Sequence, residues 1–295
     1  MFTKEEKNLN SADNNWDLII ESKTNKSSFN IRELIKYKDL ILMFVKRDFV
    51  SLYKQTILGP LWVIIQPILT TITFTIVFGK IAQIDVGAGL PPILFYMLGI
   101  TTWTYFADCI TKTSETFSAN QNIFGKVYFP RLTTPLSVVI TNLIKLAIQF
   151  TLFLAIYFYF ILFTDITIQI AWHLALIPIL VITMAFLGLG IGLIISSLTT
   201  KYRDLKFLIT FGVQLTMYAT PVVYPLKNVH ESYRWLLQLN PMTNIIETFK
   251  IGFFGIENGV FSIYYLGYSI IATFVIFILG LQLFTRVEKS FMDTI

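Results

Sequence analysis

The chain has 295 residues, of which 55% are apolar and only 14% charged, with 27 phenylalanines and a net charge of +5. Soluble domains carry about 25% charged residues, so this chain lacks the charge to cover a water-facing surface, and the membrane class comes first. A single cysteine, Cys109, and two histidines, His173 and His230, argue against a disulfide framework and a Cys/His metal site; the basic balance calls for no nucleic acid, because membrane proteins concentrate Lys and Arg on the cytoplasmic side.

Residues 1–29 are polar, carry both charge signs and read as a weakly ordered tail in which Trp16, Leu18, Ile19 and Ile20 form a short apolar patch. No apolar core of a signal peptide is expected there. From Asn30 to Lys54 the period becomes helical. Ile31, Leu34, Ile35, Leu42, Val45, Phe49, Leu52 and Tyr53 fall on one face, with Arg32, Glu33, Lys36, Asp39, Arg47, Ser51 and Lys54 on the other. Asn30 suits an N-cap, and Lys38 interrupts the apolar stripe, which predicts a bend. A spanning segment follows directly, so this amphipathic helix is expected to lie in the membrane interface. The expected division is a cytosolic tail and interfacial helix over 1–56 and a membrane domain over 57–295.

Six apolar segments follow: Ile57–Phe78, Leu90–Ile110, Leu132–Phe163, Ile170–Leu198, Leu205–Val223 and Phe261–Phe284. Each approaches the length that crosses about 30 Å of hydrocarbon as a helix. The expected fold is therefore an all-α integral membrane protein with six transmembrane helices. The third and fourth segments exceed a perpendicular crossing and must tilt, kink or project. Pro67 and Pro178 each remove an intrahelical donor and predict kinks. With the N-terminus inside, residues 1–59 hold ten of the 23 Lys and Arg, the loop 112–131 three, 199–206 three and the tail 285–295 two. The outer loops hold Lys80, Lys227, Arg234 and Lys250. That asymmetry puts both termini in the cytosol.

Between the second and third segments lies a polar, basic interruption, Ser114–Pro135, enclosing Lys126-Val127-Tyr128-Phe129-Pro130-Arg131. A plain connection needs no aromatics among its cations, so a soluble partner is expected to grip this loop. The outer stretch Pro225–Gly259 is also more than a connection. Val229–Leu239 and Pro241–Phe254 read as short amphipathic helices, with Asn240-Pro241 as N-cap and first helical residue and Gly255 as terminator. Two half-helices between spans five and six predict elements that dip back into the outer leaflet, where backbone must be covered by protein or water.

No nucleotide or hydrolytic motif is present. Gly79-Lys80 and Gly125-Lys126 lack the glycine-rich run of a phosphate cradle, and no zinc-hydrolase, serine-elbow or paired-Asp pattern occurs. This chain is not expected to be an enzyme. Polar residues do recur on single faces of the spans: Gln66, Thr70 and Thr73; Thr101, Thr104, Asp108, Lys112 and Glu115; Asn142, Lys145 and Gln149; Thr210 and Gln214. Most threonines are explained by helix packing. Asp108 and Lys145 are not, because a charge in the membrane faces a partner or water, and Asp108 is the carboxylate expected for Lys145. Phe95, Tyr96, Trp103, Tyr105 and Phe106 crowd the second segment. They suit either sugar-ring stacking or an interfacial aromatic belt.

Taken together, several stretches carry a family pattern: Arg47-Asp48-Phe49 through Leu58-Gly59-Pro60-Leu61-Trp62 with Gln66-Pro67; Lys126-Val127-Tyr128-Phe129-Pro130-Arg131 with Pro135-Leu136-Ser137; Tyr202-Arg203-Asp204; Leu239-Asn240-Pro241-Met242-Thr243; and Val287-Glu288-Lys289-Ser290-Phe291. On these the chain, from about residue 30 onward, resembles the membrane subunit of ABC-2-type polysaccharide exporters, the O-antigen and teichoic-acid export permeases. The resemblance implies a homodimer working with two copies of a separate P-loop ATPase, which binds the ATP and magnesium. It implies the interfacial helix, a cytosolic coupling helix between spans two and three, a smaller coupling contact between spans four and five, and two re-entrant outer helices. It assigns coupling to Ile123, Phe124, Lys126, Val127, Tyr128, Phe129, Pro130 and Arg131, and to Lys201, Tyr202, Arg203 and Asp204. Lys126 and Arg131 are expected to dock on partner carboxylates or helix C-termini, and Tyr128 and Phe129 to fill an apolar groove on the partner. The translocation path is expected to include Gln66, Trp103, Tyr105, Phe106, Asp108, Asn142 and Lys145.

The implied cargo is a lipid-linked polysaccharide, an O-antigen or related glycan on undecaprenyl diphosphate, moved across the cytoplasmic (inner) membrane. The rivals are an ABC-2 permease for teichoic acid, capsule, a small lipid or a drug; a secondary transporter, which would show internal repeats; and a membrane glycan enzyme, which would need an acid/base pair.

Overall fold

A computed structural model of the protein describes residues 31–290, apart from 52, 53, 55, 88, 165–170, 203 and 256–258. The tail with its Trp16 patch, together with Leu52, Tyr53 and Arg203, lies outside the described residues. The described residues are helical, without a strand.

The expected interfacial helix is two pieces, α1 (Ile31–Lys36) and α2 (Lys38–Ser51), broken at Tyr37, beside the lysine that interrupts the stripe. Helix α2 buries Ile41, Phe44 and Val45. Leu42, on the same face by periodicity, is exposed, because only one edge of the apolar stripe meets the protein. A 3₁₀ turn at Gly59–Leu61 leads into α3 (Trp62–Phe74), whose path continues as a π-helical stretch over Thr75–Ile81. Then come α4 (Pro92–Ser114), α5 (Thr116–Phe124), α6 (Thr133–Phe163), a 3₁₀ turn at Trp172–Leu176, α7 (Ile177–Thr199) and α8 (Leu205–Tyr218). On the far side of α8 lie α9 (Glu231–Gln238) and α10 (Pro241–Phe254), and α11 (Ile263–Ser290) closes the set.

Among the described residues, five stretches are long and apolar enough to cross a bilayer: Gly59–Ile81, Pro92–Ser114, Thr133–Phe163, Trp172–Thr199 and Ile263–Glu288. The protein is a multi-pass membrane protein. The expected fifth crossing is shorter than the sequence indicated. Helix α8 has 14 residues, about 21 Å at 1.5 Å per residue. Pro221 follows closely and disfavours the helical conformation at Thr220. Pro178 is no kink either: it occupies the first turn of α7, where its missing N–H would have had no intrahelical partner. Pro67 lies within α3, which runs through it.

Helix α4 is the buried centre and packs on α3, α6 and α7, while α7 packs in turn on α11. The approach of α7 to α4 is very close. A Cβ at Gly192 would sit 2.6 Å from Thr113 Cβ, and one at Gly188 2.7 Å from Cys109 Cβ. Membrane helices have little hydrophobic drive to associate, so small residues that let backbones approach supply the packing instead.

On the far side, Asn240 caps α10 by accepting from Met242 N at 3.0 Å, Pro241 opens the helix, and Gly255 ends it at φ 90°. These are the roles the sequence predicts for all three. The amphipathic expectation for α10 is corrected: every residue from Met242 to Phe254 is buried. Its polar residues are inside because they have partners inside. Asn244 Nδ2 donates to Gln238 O and Ser269 Oγ, both at 2.9 Å. Lys250, read from sequence as a cation of an outer loop, is 1% exposed beside Glu247.

Candidate coupling surface and membrane charge cluster

The interruption Ser114–Pro135 holds α5 and the loop that returns the chain to α6. Helix α5 follows α4 after a single residue, Glu115. Lys206 Nζ, in the first turn of α8, meets Glu115 Oε1 at 2.7 Å, and Thr199 Oγ1 donates to Ser114 O at 3.2 Å. The two connections to which the resemblance assigns coupling are therefore tied together at their bases. The sequence alone assigns neither Glu115 nor Lys206 to this contact. Both are charges at element ends on the same side, which is the only signal the sequence offers.

The six residues 126–131 divide sharply. Tyr128 is 86% exposed and Val127 60%, and Lys126 is also exposed. Phe129 turns inward at 6% exposure. It joins a row of rings running Phe44, Phe129, Phe124, Phe117 and Phe284, with neighbouring centroids 4.8–6.1 Å apart. The row connects α2, α5 and α11 through the loop. The expectation that Phe129 fills a partner's groove is thus corrected: its surface is spent inside the chain, and Tyr128 presents its ring alone. Arg131 is likewise engaged. Its backbone N donates to Glu288 Oε1 at 3.2 Å, its Nη1 donates to Glu288 O at 2.7 Å, and its guanidinium lies 5.6 Å from the Phe124 ring centre. Burial lowers its pKa while the Glu288 carboxylate pulls it up. Arg131 anchors the loop to the end of α11 instead of reaching outward. Phe129→Ala should therefore cost about 3–5 kcal/mol of stability, read as a lower thermal unfolding midpoint in detergent, while Tyr128→Ala leaves that midpoint in place. On the second connection, Lys201, Tyr202 and Asp204 are exposed, with Lys201 Nζ 5.2 Å from the Tyr202 ring centre.

The predicted path residues do not form one lining. Trp103, Tyr105 and Phe106 are 3–4% exposed and sit inside the helix packing, with Trp103 and Phe106 edge-to-face at 5.4 Å. The described residues of the chain enclose all three. Gln66 lies on the exposed side of α3. Asp108, Asn142 and Lys145 do come together. Asp108 Oδ2 takes Lys145 Nζ at 3.3 Å and Lys112 Nζ at 3.2 Å, and Lys112 Nζ also donates to Asn142 Oδ1 at 3.4 Å. Asp108 is thus the carboxylate that Lys145 contacts. One turn further along α6, Gln149 Nε2 donates to Val63 O at 3.1 Å, which ties α6 to the start of α3. Among the described residues no cluster of three His, Cys, Asp or Glu suits a metal ion.

A stack of long apolar helices with a half-enclosed charge cluster and an exposed aromatic finger on its polar connection defines a polytopic membrane protein. The family described as "ABC-2 type transporter" matches residues 39–254, and the chain belongs to it. It is also similar to two O-antigen export system permease proteins RfbA from Klebsiella pneumoniae. They are 27% and 25% identical over 268 residues, covering 91% of this chain and 98% of each relative. An O-antigen export system permease protein RfbA from Myxococcus xanthus is 28% identical over 227 residues, covering 76% of this chain and 84% of the relative. ABC-2 permeases are transport subunits that work with an ATPase.

Proposed function

We propose that this chain is the membrane half of an ATP-driven exporter of a lipid-linked polysaccharide, an O-antigen-type glycan on undecaprenyl diphosphate, in the cytoplasmic membrane. The observation that carries the reading is the similarity to O-antigen export permeases along 91% of the chain. Both termini and the connections 115–132 and 200–204 face the cytosol in this reading, as the Lys/Arg asymmetry favours. Helix α8 and the turn after it make the fifth of six crossings, and α9 and α10 re-enter from the outer side. The membrane domain takes in 57–295, preceded by the interfacial helix.

ATP and magnesium belong to a separate P-loop ATPase present in two copies. Closure of those subunits pushes on Tyr128, Val127 and Lys126 and, more weakly, on Lys201, Tyr202 and Asp204. The ring row from Phe129 and the Arg131–Glu288 anchor carry the push to α2 and α11. This is a rigid-body switch biased by nucleotide. A second copy of this chain would complete the path. Helix α8 has no buried residue, and its Phe207, Leu208, Phe211 and Leu215 are all more than half exposed, which suits an interface between copies.

The test is co-purification with and without Val127→Ala plus Tyr128→Ala. The unaltered chain should bring down an ATPase and lipid-linked glycan. The double variant should insert normally yet lose glycan-stimulated ATPase activity by about tenfold, the scale of one lost exposed aromatic anchor. Full stimulation in the variant would remove the coupling assignment.

A further inference from the structure

We infer that Lys112 and Lys145 form, with Asp108, a subsite for the phosphate of a membrane lipid, and that under the export reading its occupant is the diphosphate of the lipid carrier. Two ammonium groups converge on one carboxylate oxygen, Asp108 Oδ2, at 3.2 and 3.3 Å. Among the described residues no second carboxylate pairs with either lysine, so the cluster keeps one excess positive charge. An ammonium has three donors. Lys145 uses one, on Asp108, and Lys112 uses two, on Asp108 and Asn142 Oδ1. Donors are left over as well as charge. The site is half-enclosed: the Lys145 side chain is 12% exposed, Asp108 32% and Lys112 40%. An uncompensated cation held within a membrane helix pair is costly and takes a partner or water; here the partly exposed Lys112 and Asp108 leave one side of the cluster accessible.

Depth selects the anion. Asp108 lies about 24 Å along α4 from Pro92, and Lys145 about 27 Å along α6 from Phe163, at 1.5 Å per residue. Both estimates fall close to the far edge of about 30 Å of hydrocarbon. That is a few Å inside the head-group layer that holds the lipid phosphates, a gap that a lysine side chain reaching toward the interface can span, on the cytosolic side in the export reading. Compact ammonium groups suit phosphate as point charges. Gln149, one turn along α6 from Lys145, donates to Val63 O, so the start of α3 lies close to the cluster.

The experiment uses the full-length chain in phosphatidylcholine nanodiscs with three probes: undecaprenyl diphosphate, phosphatidylglycerol and inorganic pyrophosphate. Binding is read by native mass spectrometry. Lys112→Met plus Lys145→Met should weaken the carrier's binding by about tenfold or more, whereas Lys80→Met plus Lys227→Met, an equal loss of two charges at the opposite end of the membrane, should leave it unchanged. Asp108→Asn is the discriminating variant. It removes the competing carboxylate, so carrier binding should tighten, whereas a purely structural ion pair would lose stability and gain no affinity. Equal lysine-dependent retention of phosphatidylglycerol keeps the phosphate subsite but assigns it to bulk head groups; pyrophosphate bound as tightly as either lipid makes it a soluble-anion site and overturns the lipid assignment. Carrier binding unmoved by the lysine changes, or absent in the unaltered chain, overturns the subsite. The export reading stands or falls separately, on surface glycan in cells.

Discussion

Replacing Gly190 with leucine is expected to remove the folded protein from the membrane. A Cβ at Gly190 would meet Phe277 Cα at 2.8 Å and Phe277 N at 2.9 Å, and one at Gly280 would meet Gly190 O at 2.5 Å. These neighbours are backbone and cannot swing aside, so α7 and α11 must separate along their length. Overpacking a core costs about 1–3 kcal/mol even for modest insertions, and a leucine here displaces a whole helix pair. Gly190→Ala should already lower the unfolding midpoint, and Gly190→Leu should cut membrane-inserted protein by about tenfold or more, as a loss near 1.4 kcal/mol or above implies. Gly267→Ala, also on α11, has nothing within 4 Å of its Cβ and should be neutral. Normal levels of Gly190→Leu protein, measured by quantitative blotting of membranes, would show that the α7–α11 contact is not required.

The second large effect concerns a pair hidden in α10. Glu247 and Lys250 are 2% and 1% exposed, with Lys250 Nζ 3.8 Å from Glu247 Oε1. Lys250 also donates to Pro221 O and sits 3.7 Å from the Phe95 ring centre. Glu247 Oε2 accepts from Val260 N at 3.4 Å. One ion pair therefore joins α10 to the turn after α8, to the first turns of α4 and to the approach to α11. Removing one partner of a buried pair typically costs about 3–5 kcal/mol because the other charge is stranded, whereas replacing both is often close to neutral. Lys250→Met alone should lower the unfolding midpoint steeply. Adding Glu247→Gln should restore most of the loss. If the double variant is as unstable as the single, the two charges are not acting on each other.

The elements were legible because length and hydropathy are written locally. The Asn240-Pro241 start and Gly255 stop of α10, the break beside Lys38 and the Asp108–Lys145 contact all follow from residue type and spacing. What spacing cannot show is which neighbour arrives from elsewhere. Phe129 reads as a docking aromatic until Phe44 and Phe124 are seen to enclose it. Lys250 reads as an outer cation until Glu247, one turn away, is buried with it. Trp103, Tyr105 and Phe106 read as a lining because their sequence does not say that other helices cover them. Pro178 reads as a kink because the helix start at Ile177 depends on the 3₁₀ turn before it. The loop over residues 126–131 gained most from the structure. Its residues divide into an outward finger, Lys126, Val127 and Tyr128, and an inward anchor, Phe129 and Arg131.

In the proposed function, lipid-linked glycan leaves the cytosol through this chain with a separate ATPase. The most direct measurement is surface glycan and intracellular lipid-linked glycan in the native host after deletion of the gene, followed by complementation. Surface glycan should disappear while its lipid-linked form accumulates inside, and the unaltered chain should restore export while Val127→Ala plus Tyr128→Ala does not. Undiminished surface glycan, with no accumulation inside, would contradict that function.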